Sequence, residues 1–252
     1  MPLSTEAQKN FYDEIYKEYN KPFRSPYTRD IHFFEFGAGF QTLTTKQHGD
    51  MLEIGCASGL FAKYFSSHAQ KYTGCDISER QLGLARRNLN DNKHKFISAD
   101  GKCLPFLDES YDIVVTSGVL HHIDDRDKIY AEVYRVLRPG GVFICFEPAA
   151  HNPVANLLRV IAKRLHPMFH PDEVSFTQQE IEDAFRQNNF SRFTVIFHMF
   201  ILGYLITFNF KKNWFWDFIF GLLFRAERVL TRLPHNSPLR KLGISLIGIG
   251  YK

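Results

Sequence analysis

Met51-Leu52-Glu53-Ile54-Gly55-Cys56-Ala57-Ser58-Gly59 is the stretch that decides the reading of this chain. A short apolar run contains an acid, Glu53, and gives way to a turn of small residues. A helical stretch, Leu60 to Ser66, follows. The order is strand, tight turn, helix. Gly55 and Gly59 carry no side chain, so a ligand can approach the backbone closely there. The helix start adds free N–H groups aimed at that ligand. A phosphate-binding loop would need a Gly-Lys-Ser/Thr ending, and a dinucleotide loop would need G-x-G-x-x-G. Neither is present.

An acid two residues before the first glycine suits a ligand with positive charge near the turn. S-adenosylmethionine, with its sulfonium and ammonium groups, is such a ligand. The following residues repeat the pattern. Tyr72 to Asp76 reads as a second strand ending in an acid, and Asp76 lies 17 residues after Gly59, room for one connecting helix. Its carboxylate is placed to accept both ribose hydroxyls. Lys95 to Asp100 reads as a third strand with a terminal acid facing the adenine. Tyr111 to Thr116 is a fourth, rich in β-branched residues. Arg138-Pro139-Gly140-Gly141 reads as a turn and Val142 to Phe146 as a fifth strand. One acid at a strand end is common; three in succession mark the carboxyl edge of a parallel sheet, where open α/β sheets bind ligands.

With those segments in place, residues 51 to 147 resemble the class I S-adenosylmethionine-dependent methyltransferases, in particular the ubiquinone-biosynthesis-like group. The resemblance rests on LEIGCASG, GCDISERQLGLARRN, SADGKCLPFLDESYDIVVTSGVLHHI and EVYRVLRPGGVFI, in family order and spacing. It implies a Rossmann-like α/β fold: a seven-stranded, mostly parallel sheet with helices on both faces. It implies S-adenosylmethionine as cofactor and S-adenosylhomocysteine as product. Glu53, Gly55, Cys56, Ala57 and Gly59 would form the turn around the methionine end, and Asp76 would bind the ribose. Ile77 would flank the adenine, Asp100 and Gly101 would meet its edge, and Ser117 would close the pocket. Ala57 departs from the glycine usual in the family.

Length allows one domain with a large core. The expected layout is a helical lid over residues 1–50, a cofactor-binding core over 51–147 and a substrate-side half over 148–252. Hydrophobic content of 44% and charged content of 23% are ordinary for a soluble protein. A net charge of +4 argues against a dedicated nucleic-acid binder. Cys56, Cys75, Cys103 and Cys145 form no C-x-x-C pair, so buried thiols in a reducing compartment are expected. Met1 to Glu6 has no basic stretch before an apolar core, so a secretory signal is not expected and the cytoplasm is.

Ser4 to Tyr19 has helical periodicity with Phe11, Ile15 and Tyr19 on one face, and packs on the sheet or lies over the cofactor. Residues 20 to 50 read as loop plus one short helix. Thr177 and Glu180 have capping-box spacing for a helix to Asn188. Phe193 to Phe197 and Ile244 to Tyr251 read as strands six and seven. Between them, Phe193 to Phe210 carries no Asp, Glu, Lys or Arg, and Trp214 to Phe224 is nearly all apolar. A hydrophobic helical hairpin at about 199–233, inserted between strands six and seven, fits better than a membrane span. It serves as core, as a homodimer face, or as the wall of an apolar substrate pocket with peripheral membrane contact, since Lys211, Lys212, Arg225, Arg228 and Arg232 border it.

Methyl transfer from a sulfonium needs the acceptor held in line and, for a hydroxyl, a base. His121 and His122 follow strand four, and Glu147 ends strand five, beside them. A histidine oriented by a carboxylate is a competent base; a structural histidine is the competing reading. His166 and His170 sit among prolines that oppose a helix, so no metal site is expected. The leading expectation is O-methylation of an apolar or lipid-linked small molecule. C-methylation in quinone-type biosynthesis and a non-catalytic S-adenosylmethionine-binding module are the alternatives.

Overall fold

A computed structural model describes residues 4–19, 26–40, 49–165, 174–202, 211–234 and 237–252. The strands are β1 (Asp50–Ile54), β2 (Lys71–Asp76), β3 (His94–Ser98), β4 (Tyr111–Ser117), β5 (Leu137–Pro148), β6 (Arg192–His198) and β7 (Ser245–Tyr251). They form one sheet in the order β3-β2-β1-β4-β5-β7-β6. Only β7 runs antiparallel to its neighbours. The strand order reverses at β1 and β4, so their carboxyl ends open a crevice between connections that leave in opposite directions.

Burial explains the strand composition. Met51, Leu52, Ile113, Val114, Val142 and Phe143 are inaccessible because both faces of the central strands are covered. Helices α3 (Leu60–Phe65) and α4 (Glu79–Asn88) pack near β1–β3, and Phe61, Phe65, Leu82 and Ala85 join one apolar cluster. Helices α5 (Arg126–Val136) and α7 (Gln178–Gln187) supply Ile129, Tyr130, Val133, Ile181 and Phe185 to the other. Ser78 caps α4 by accepting from the Gln81 amide. Thr177 and Glu180 complete the expected capping box on α7.

Helix α1 (Thr5–Tyr19) lies where its periodicity puts it. Helix α2 (Pro26–Phe40) has 15 residues and is longer than the short helix expected; its Pro26 stands in the first turn, where a missing N–H costs nothing. Residues Arg138–Gly141, expected as a turn before β5, fall inside it. They bulge from the ladder, because Tyr111 pairs Leu137 whereas Ile113 pairs Val142. Gly140 takes a left-handed φ of 78° in this bulge.

Beyond β5 lie α6 (Pro153–Leu165) and, between β6 and β7, α8 (Trp214–Thr231). Helix α8 lies in the later part of the segment 199–233 expected as a hairpin; residues 203–210 of that segment lie outside the described residues. His166 and His170 also lie outside them. Trp216, Phe220, Leu223 and Phe224 of α8 pack with Tyr27, Ile31 and Phe34 of α2 and with Met199 and Leu202. Glu227 is fully buried there and accepts from the backbone N–H groups of Phe200, Ile201 and Leu202. Among the described residues, no helix is long and apolar enough to cross a membrane. Cys56, Cys75 and Cys145 are buried free thiols, while Cys103 is exposed.

Candidate active site

A cleft of about 700 Å³, part of it open to solvent, lies at the carboxyl ends of β1, β2 and β4. Among the described residues, its lining falls between Gln8 and Ile129. Gly55, Ala57, Asp76, Ile77, Asp100, Gly101, Ser117 and His122 line it, as the sequence leads one to expect. Glu53, Cys56, Gly59, His121 and Glu147 lie outside the lining.

The turn after β1 builds the floor. Gly55 and Gly59 take φ of 74° and 78°, conformations that L side chains rarely adopt. A Cβ on Gly55 would also collide with the Val119 side chain. Ala57 adopts a left-handed φ of 43° despite its methyl group. Its amide donates to Asp76 Oδ2 at 2.9 Å, and the Ser78 amide donates to Oδ1 at 2.8 Å. Both oxygens keep lone pairs toward the cleft. Burial raises Asp76 to about 6, and those two N–H groups oppose the rise.

Asp100 lies just past β3. It accepts from the Lys102 amide at 2.9 Å and from the Thr5 hydroxyl at 3.3 Å. Ile77, Ala99, Ile123 and Ile129 give the same end of the cleft an apolar slot. Helix α1 covers it. Gln8 and Tyr12 line the cleft, Gln8 donates to the His122 carbonyl, and Ser78 donates to Asp13. The lid reading of this helix therefore has contacts to support it. Gln8 and Tyr12 went unread in the sequence because nothing local links them to Asp100 or His122, more than 80 residues away.

Glu53 turns from the cleft into the core, where the Tyr72 hydroxyl donates to it. Burial raises it to about 8; the Tyr72 bond opposes this and the nearby Asp76 charge adds to it. On the far side, Glu147 is buried and accepts from the amides of Leu120 at 2.9 Å and of Val119 and His121 at 3.3 Å. It therefore anchors the short turn Leu120–His122 after β4. The same carboxyl lies 2.7 Å from His121 Nδ1. Burial raises Glu147 to about 8, against the pull of those amides. The His121 ring lies tilted against that of His122 with centroids 3.9 Å apart, and His122 packs edge-on to Tyr12. Thus His122 faces the cleft, with the His121–Glu147 pair directly behind it. Among the described residues, no cluster of three metal-ligating side chains exists.

The cleft fits S-adenosylmethionine. Asp76 offers hydroxyl acceptors, the slot near Asp100 is flat and apolar, and the glycine turn leaves room for the amino-acid end.

Residues 52–145 match the family described as a methyltransferase domain. A phthiotriol/phenolphthiotriol dimycocerosates methyltransferase of Mycobacterium ulcerans is 35% identical over 42% of this chain and 40% of its own length. Its Mycobacterium tuberculosis counterpart is 34% identical over the same shares. The chain thus spans about 40% of the length of these curated relatives. A Thermotoga maritima S-adenosylmethionine-dependent methyltransferase, described as a possible histamine N-methyltransferase, superimposes with a TM-score of 0.67. It is 19% identical, over 96% of this chain and 99% of its own. A phosphoethanolamine N-methyltransferase 2 of Haemonchus contortus, in complex with phosphomonomethylethanolamine and S-adenosylhomocysteine, gives 0.61 at 17% identity, over 99% of this chain and 60% of its own. At such identities the structural likeness concerns the fold. Joined to the sheet order and the strand-end acids, the match leads to one conclusion: residues 52–145 form a methyltransferase domain, within a fold shared with S-adenosylmethionine-dependent methyltransferases.

Proposed function

We propose that this protein transfers a methyl group from S-adenosylmethionine to the hydroxyl of an apolar or lipid-linked small molecule. The observation that carries the reading is His122 at the wall of the cleft, with the His121–Glu147 pair behind it. When bound, the sulfonium cofactor supplies an electrophilic methyl group. Asp76 accepts the ribose hydroxyls, and Ile77 and Ala99 flank the adenine near Asp100. Ser117 and Gly118 border the side from which an acceptor approaches. Positioning of this kind is worth roughly 7–11 kcal/mol of barrier.

His122, or His121 through a small ring movement, takes the acceptor's hydroxyl proton onto an imidazole nitrogen. Glu147 fixes the orientation of His121 through Nδ1. The apolar acceptor is supported by the exposed apolar residues of α6 and α8 and by relatives whose names specify phthiotriol dimycocerosates. The test is methyl transfer to a panel of hydroxylated lipids and quinols. His121→Ala or His122→Ala should lower kcat about 10²-fold or more with S-adenosylmethionine affinity retained. Wild-type rates in both variants and in the double variant would remove the base and favour an activated ring carbon as acceptor. Cofactor binding with no transfer to any acceptor would favour a binding module.

A further inference from the structure

Helix α6 is built inside out. Two of its polar side chains face the protein: Asn156 Nδ2 donates to the Ala150 carbonyl at 2.7 Å. Arg159 donates to the carbonyls of Ala149 and Ile244, both at 2.8 Å. Its apolar side chains face outward, with Val154 58%, Leu157 62% and Ile161 44% exposed. A helix on a water-facing surface has the reverse arrangement.

Helix α8 adds a second outward stripe. Trp214, Phe218, Leu222, Arg225, Val229 and Arg232 recur at spacings of three and four, and all are exposed. The stripe is aromatic and aliphatic in its first half and mostly cationic in its second. The two helices flank one place in the fold. Asn152, which caps α6, donates to the Leu242 carbonyl, and Arg159 to that of Ile244. Ile244 packs in the same cluster as Phe220 of α8. The next residue, Ser245, pairs with Pro148 at the carboxyl end of β5, the sheet edge that bears the cleft.

We propose that α6, α8 and the turn Pro238–Leu242 form one face that docks on an anionic lipid bilayer. This deepens the reading of a lipid-linked acceptor and rests on it for its purpose, though not for its test. Charge selects the bilayer over a second copy of the chain. Lys211, Lys212, Arg225, Arg228, Arg232 and Lys241 are exposed around the apolar residues. The exposed acid on α8, Asp217, is engaged by the Tyr27 hydroxyl at 2.7 Å. A two-fold dimer through this face would set cations against cations. Anionic headgroups would complement them while the apolar side chains enter the acyl boundary.

The experiment is co-sedimentation of the full chain with phosphatidylcholine vesicles, with and without about 30% phosphatidylglycerol, in the absence of cofactor and acceptor. The wild type should bind the anionic vesicles at least about ten-fold more tightly, since each cation near the surface is worth roughly five-fold. Leu157→Glu with Phe218→Glu should abolish binding while S-adenosylmethionine affinity, measured by calorimetry, stays unchanged and verifies the fold. Arg225→Ala with Arg228→Ala should erase the preference for anionic lipid. Absence of sedimentation with either vesicle would overturn the proposal. So would a dimer, seen by analytical ultracentrifugation, that the Leu157/Phe218 variant splits. Because vesicle binding needs no turnover, failure of methyl transfer would strike the proposed activity and leave the docking face standing.

Discussion

Asp76 and Ala57 meet through one hydrogen bond, and the sequence treats them differently. Asp76 is legible because an acid at the end of a short β-rich run has few other uses. Asp76→Ala should weaken S-adenosylhomocysteine binding by roughly 1.5–3 kcal/mol in calorimetry, the worth of hydrogen bonds to a charged group. Unchanged affinity would place the ribose elsewhere. Ala57 is legible only as a departure from glycine; its φ of 43° gives the departure its physical meaning. A left-handed L-residue costs about 1 kcal/mol, partly returned by glycine's greater freedom when unfolded. Ala57→Gly should therefore raise the midpoint of urea unfolding slightly, while Ala57→Val should lower it. Glu53 is harder to read. Its orientation depends on Tyr72, a diagonal cross-strand neighbour once Met51 pairs with Tyr72. The alternation of β1 alone does not reveal that hydroxyl.

Among the helices, what is legible depends on which face is inward. Helix α7 announces itself through Thr177 and Glu180, and Thr177→Ala should cost about 1 kcal/mol by denaturant titration. Helix α8 is legible as an apolar stretch that cannot fit one stripe: Phe220 goes to the core, while Trp214 and Phe218 remain outside. Its Glu227 is not, since the three amides it serves lie about 25 residues earlier. Glu227→Ala would strand those buried donors, each worth roughly 1–3 kcal/mol. It should unfold the chain at markedly lower urea than Thr177→Ala does, and equal midpoints would show that Glu227 is dispensable. In α6 the period of three and four is plain, but period alone does not say which side meets the protein. Asn156 and Arg159 decide it through carbonyls supplied by the residues just after β5 and just before β7.

The molecule as a whole carries buried carboxyls whose titration couples to folding. Burial lifts Glu53 and Glu147 from the usual 4.5 to about 8. The folded chain thus holds more protons than the unfolded chain between about pH 4.5 and 8, so stability falls as pH rises across that window. Urea midpoints without cofactor should decline from about pH 5 to about pH 8, and Glu53→Gln should remove its share of the slope. An unchanged slope in that variant would mean that Glu53 titrates normally. Strand order and the cofactor cleft were legible because their residues come in consecutive strand–turn–helix units. The histidine pair was legible as neighbours of Glu147, but not which ring faces the cleft; that depends on Tyr12, far earlier in the chain. Among the described residues, those lining the cleft fall between Gln8 and Ile129, and β6 and β7 leave and rejoin the sheet at paired residues, His198 and Ser245. The excursion between them is therefore a cassette with adjacent ends. Such a segment can be exchanged without altering the register of the strands that flank it. A graft of another methyltransferase's β6–β7 segment at these two residues is the natural place for an engineer to begin.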